Sequence, residues 1–114
     1  MEISPGMAEW RRLTDAQKTL AALVTAMLDA AGDWMINIVW SDEREVYCEA
    51  FERLGYGSIA VAIREAAQVD PDLLQDSDEL NRLNKQVEKH WDDIWAAAES
   101  FASANQLLPE ETKP

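Results

Sequence analysis

From Leu80 to Phe101 apolar side chains recur every three or four positions: Leu80, Leu83, Val87, Trp91, Ile94, Ala98 and Phe101. This is the spacing of one face of an α-helix, and it excludes a strand, whose faces alternate with period two. The same spacing appears earlier, in Leu20, Leu23, Val24, Met27 and Leu28. A chain carrying such stripes must bury them against other helices. At 114 residues it has room for one domain with one core.

Punctuation falls at helical intervals. Thr14-Asp15-Ala16-Gln17 is a capping box, in which a threonine hydroxyl and a glutamine side chain exchange bonds with each other's backbone N–H groups. Gly32 is placed to end that helix. Ser41 is a candidate cap for a helix ending at Leu54, with Gly55 as its stop. A helix over 59–69 follows Gly57-Ser58, and Asp70-Pro71 reads as a cap followed by a first-turn proline. Ser77 is the expected cap of the longest helix, 78–104, with Asn105 as its stop. Ser4-Pro5 is placed to begin a short helix carrying Trp10. The stretch Trp34–Trp40 fits a strand or a buried helix by pattern alone. No second strand-like run exists to pair with it, so helix is expected. The expectation is an all-α single-domain bundle of five or six helices over residues 1–106, with a long C-terminal helix and a short tail at 107–114.

Charge is the second constraint. The chain has 22 acids against 10 Lys and Arg, a net charge of −12. Such a surface repels phosphate, which disfavours direct binding to nucleic acid or anionic membranes and favours a basic partner. The acids are unevenly placed: residues 41–79 hold eleven acids and three bases. Asp42, Glu45, Glu49 and Glu52 fall at i, i+3, i+7 and i+10, on one helix face. Their axial spacing is on the order of 5 Å. Asp70, Asp72 and Asp76, with Asp78 and Glu79, follow in a stretch without a base. Acids near helix N-termini complement the macrodipole and keep a protein soluble. That explains Asp42, Glu43, Asp78 and Glu79 better than Glu49 and Glu52. The alternative is a surface that imitates a polyanion, because DNA presents phosphates at about 3.4 Å intervals along each strand. Within the first acidic helix only Arg44 and Arg53 offer local compensation. Arg82, Lys85 and Lys89 form a basic row that either meets the acids, within one chain or across a dimer, or is simply solvated.

Two segments carry a family resemblance. Glu49-Ala-Phe-Glu-Arg-Leu-Gly55, then Ile59-Ala-Val-Ala-Ile-Arg-Glu-Ala66, resemble the central helices of a bacterial all-helical family typified by a neisserial DNA-mimic protein. Leu80-Asn-Arg-Leu-Asn84, Trp91-Asp-Asp-Ile-Trp95, Phe101 and Asn105 are similar to its last helix. The match spans about half the chain. The family's Asn-Gly-Gly-Phe element is replaced here by Trp34–Trp40. The resemblance implies an all-α fold, a homodimer and, for the typical member, occupation of a transcription factor's DNA site.

Enzymatic signatures are missing. His90 is the one histidine, Asp92 and Asp93 point in different directions on a helix, and no nucleophile or phosphate-loop motif occurs. Cys48 is the one cysteine, which excludes an internal disulfide and a cysteine zinc cage. The acidic run at 70–79 fails the calcium-loop template, with Leu74, Gln75 and Asn81 where ligand, glycine and glutamate belong. No metal or cofactor is expected. The start lacks a basic-then-apolar leader, and no apolar run nears the ~18 residues of a membrane span. A cytoplasmic location is therefore expected.

The functional expectation is a non-enzymatic inhibitor of a basic DNA-binding protein, such as a transcription factor, nucleoid protein or nuclease. Asp42, Glu45, Glu49, Glu52, Asp70, Asp72 and Asp76 would replace phosphates. The rival is an immunity- or adaptor-type module that neutralises a basic toxin or effector through a shape-specific patch. Its anchors would be aromatic, with Trp10 and Trp34 as candidates, because tryptophan is enriched at interface hot spots.

Overall fold

The residues that punctuate the sequence make the bonds their chemistry offers. In the computed structural model, which describes residues 8–33 and 35–106, Gln17 N–H donates to the Thr14 hydroxyl at 3.1 Å. Thr14 N–H donates in return to Gln17 Oε1 at 2.8 Å, completing the capping box. This opens α1 (Asp15–Asp33), which ends one residue after Gly32. Trp10 lies in a 3₁₀ turn, Ala8–Arg12. Ser4-Pro5, Trp34 and the tail at 107–114 lie outside the described residues.

The apolar stretch before Ser41 is helical, as α2 (Ile36–Trp40), and buries Ile38 and Val39. Just ahead of it Met35 is fully buried, and its N–H donates to Asn84 Oδ1 at 3.0 Å. The Ser41 hydroxyl accepts from Glu43 N–H at 3.0 Å. It thus closes the turn between helices rather than capping the next one, and α3 (Arg44–Arg53) begins three residues later. Gly55 ends α3 in the left-handed region at φ +90°, where a side chain would be strained. Around it Tyr56 N–H donates to the Phe51 carbonyl at 2.8 Å and Gly55 N–H to the Glu52 carbonyl at 3.1 Å. These are the two bonds of a Schellman motif.

Next comes α4 (Gly57–Ala66), shorter than expected. Residues 67–69 leave the α-helix through tighter bonds, from Gln68 N–H to the Glu65 carbonyl and from Val69 N–H to the Ala66 carbonyl, each 3.1 Å. Asp70 caps α5 (Pro71–Leu74) by accepting from Asp72 N–H at 2.9 Å. Ser77 caps α6 (Asp78–Lys89) by accepting from Leu80 N–H at 3.1 Å.

The single helix expected over 78–104 is two helices, α6 and α7 (Trp91–Ala104). His90, at φ −104° and ψ 17°, ends one and starts the other. The apolar stripe crosses the break in phase, which is why periodicity conceals it. Packing explains it: α6 lies on α4, whereas α7 lies on α1, and one straight helix cannot follow both. At the bend the His90 ring packs on Tyr56, with ring centroids 5.8 Å apart. The described residues therefore form seven α-helices and no strand, an all-α single-domain bundle.

The core runs through α3, which packs on α1 to one side and α4 to the other. Leu23, Met27, Phe51, Ile59, Ile63, Leu83, Val87 and Ile94 are fully buried. Ala50, Ala60 and Ala66 are buried too.

Candidate functional site

Burying Tyr47, Cys48, Ala50 and Phe51 turns Glu45, Glu49 and Glu52 outward, with Asp42 exposed in the turn before α3. The four acids do not share one environment. Arg64, reaching across from α4, holds two of them. Its Nη2 lies 2.8 Å from Glu45 Oε1, its Nε donates at 3.2 Å to both Glu45 oxygens, and its Nη1 lies 2.8 Å from Glu52 Oε2. The Arg64 hydrogen bonds hold the Glu45 carboxyl below the ordinary glutamate range. The contribution to stability is full above about 4.5 and is lost as pH falls through the lowered value. Glu49 turns instead toward α1.

The two bases of the acidic helix, Arg44 and Arg53, make their hydrogen bonds elsewhere. Arg44 Nη1 donates to the Val39 carbonyl at 2.7 Å, and Arg53 Nη1 to the Thr19 hydroxyl at 3.0 Å. Both serve the packing of α3 on its neighbours. Relief of the acid row comes from the next helix, across sequence separations of 19 and 12 residues, where helix-face rules are blind. Arg64 is the site residue that sequence reasoning missed. Its only signal was being the one base of 54–79.

Asp42, Glu49, Asp70, Asp72 and Asp76 are exposed and form no ion pair among the described residues. Across 41–79, Glu45 and Glu52 are the acids with an ion-pair partner. Asp76 borders a shallow polar recess of about 280 Å³ with Ser77, Asp78, Asn81 and Asn84. Arg82, Lys85 and Lys89 are exposed and do not meet the acid row within the chain.

Trp10 is half-buried against the core and walls a cavity of about 150 Å³ with Lys18, Thr19, Glu49 and Arg53. Trp91 and Trp95 meet edge to face, with centroids 6.4 Å apart, and both pack against the core. Among the described residues the exposed aromatic is Trp40, at 50%. It follows Ile38 and Val39, whose inward direction leaves the last position of α2 outside. Leu73, 66% exposed, stands among Asp70, Asp72 and Asp76.

Cys48 is fully buried, with its thiol 3.8 Å from the Ala60 carbonyl, and burial pushes its pKa up to about 11. Native protein is therefore expected to resist thiol reagents at neutral pH and to label at its unfolding rate. Fast labelling of folded protein would contradict this packing. The raised value also implies a stabilising contribution that is full below about 9 and lost as pH rises toward 11. Burial raises the Tyr47 phenol in the same sense. The midpoint of thermal unfolding should fall across that interval.

Among the described residues no group of three His, Cys, Asp or Glu side chains is placed to hold a metal ion. No described helix is long and apolar enough to cross a membrane. The molecule is thus an all-α single-domain protein with exposed carboxylates, concentrated in 41–79, that have no cationic partner among the described residues. Comparison with protein families, curated proteins and solved structures finds no match to this chain.

Proposed function

We propose that this is a non-enzymatic acidic protein that binds and inhibits a DNA-binding protein by standing in for the phosphate backbone. One observation carries the reading: Asp42, Glu49, Asp70, Asp72 and Asp76 are exposed and no cation of the described chain pairs with them. Carboxylates left unneutralised over a third of a chain keep a strong negative potential, which attracts a basic groove and speeds encounter. A groove that reads backbone charge rather than base edges accepts carboxylates in place of phosphates. The resemblance to the DNA-mimic family points the same way and adds a homodimer to the reading.

The test is a pull-down from host lysate at low salt, eluted first with salt and then with competing duplex DNA. Recovery of a basic DNA-binding protein that DNA displaces is the expected result. A partner that resists both salt and DNA would overturn mimicry. It would favour the second reading, a shape-specific module that neutralises a basic toxin or effector. Exposed Trp40 and Leu73 are the observation behind that reading, since apolar anchors ringed by charge mark interface hot spots.

A further inference from the structure

We infer that Arg64 is an intramolecular competitor for the acidic face: its guanidinium occupies the Glu45–Glu52 site that a cationic side chain of a partner would otherwise take. The inference rests on the basic-partner reading and adds a regulation to it. Glu45 and Glu52 stand seven residues apart on α3, about 10 Å along its axis. Their carboxylates nevertheless converge on one guanidinium, through contacts of 2.8 to 3.2 Å. The site so formed fits a planar fork of N–H donors, the geometry of an arginine.

The clamp is open to water. The side chains of Arg64, Glu45 and Glu52 are 38%, 62% and 41% exposed. Exposed ion pairs are weak, so an incoming guanidinium can exchange with Arg64 without first burying a charge. Closed, the three groups carry one net negative charge; open, the two carboxylates present two. Asp42 and Glu49 lie unpaired on the same acid row and receive the partner's cations first. The chain thereby holds part of its anionic surface in reserve until a cation strong enough to displace Arg64 arrives.

The test measures binding of an oligo-arginine peptide to the full chain by fluorescence anisotropy at low salt. Arg64→Gln should bind about two- to five-fold more tightly than wild type, the range one exposed ion pair supplies. Arg64→Lys, which keeps the charge and loses the fork, should fall between them. Arg82→Gln makes the same charge change on α6, away from the acid row, and should gain less. Adding Glu45→Gln and Glu52→Gln to Arg64→Gln should abolish the gain. Circular dichroism checks that each variant stays helical. If Arg64→Gln gains no more than Arg82→Gln while wild type binds, the clamp is refuted and the basic-partner reading stands. If neither wild type nor Arg64→Gln binds, both fall. In wild type itself, saturating peptide should shift the Arg64 Nε–H resonance toward that of a free guanidinium. An unmoved resonance would overturn the inference without any variant.

Discussion

Phe51→Ala is expected to lower the free energy of unfolding by about 3–5 kcal/mol. Phe51 is fully buried and sits on the helix that packs against both α1 and α4. Its removal leaves a cavity bordered by three helices, none of which can collapse into it without leaving its other neighbours. The loss is large against the roughly 5–15 kcal/mol that holds a small domain together. Urea unfolding should show a lower midpoint with an unchanged slope, since the native surface stays nearly the same. Phe101, near the end of α7 and only partly buried, provides the comparison. A smaller effect at Phe51 than for Phe101→Ala would contradict a core centred on α3.

The second large effect concerns the surface. Replacing Asp42, Asp70, Asp72 and Asp76 by Asn and Glu49 by Gln removes the unpaired acids of the candidate site. Affinity for a basic partner, measured with the same oligo-arginine peptide, should fall by about 70-fold at low salt, at roughly half a kcal/mol for each of the five charges. The fold should survive. Asn caps a helix as well as Asp, so Asp72 N–H keeps its acceptor at residue 70. Removing like charges relieves repulsion, so thermal stability should hold or rise. A fall of less than about threefold, with a larger loss from Trp40→Ala or Leu73→Ala, would instead show shape dominating charge.

Arg64 links these results to the electrostatics of the molecule. Because it pairs with Glu45 and Glu52, neutralising those two acids should change binding less, per charge removed, than neutralising the unpaired set. A uniform charge track would not distinguish the two groups. The contrast between paired and unpaired acids therefore separates a structured acidic surface from mere net charge.

Much of the architecture is readable from local chemistry. The Thr14–Gln17 box, the Asp70 and Ser77 caps, the Gly55 stop and the Asn105 side chain donating to the Phe101 carbonyl at 2.8 Å all appear where their residues suggest. Within the stretch that begins at Trp34, Ile36–Trp40 is the helix α2, and Trp10 is half-buried. Trp34 lies outside the described residues, so its expected role as an anchor is untouched.

What the sequence by itself determined is whatever a bond of three or four residues, or the period of one helix, can specify. That covers the all-α class, most helix ends and the outward acids of 41–79. Tertiary structure decided the rest. The break at His90 exists because α6 and α7 must follow different neighbours, α4 and α1, while their shared stripe keeps its phase. The exposure of Trp40 and Leu73 depends on where other helices end. The Arg64 clamp depends on the packing of α4 against α3. An ion pair formed across 19 residues is a property of packing distance, and helix periodicity carries no information about which helices meet.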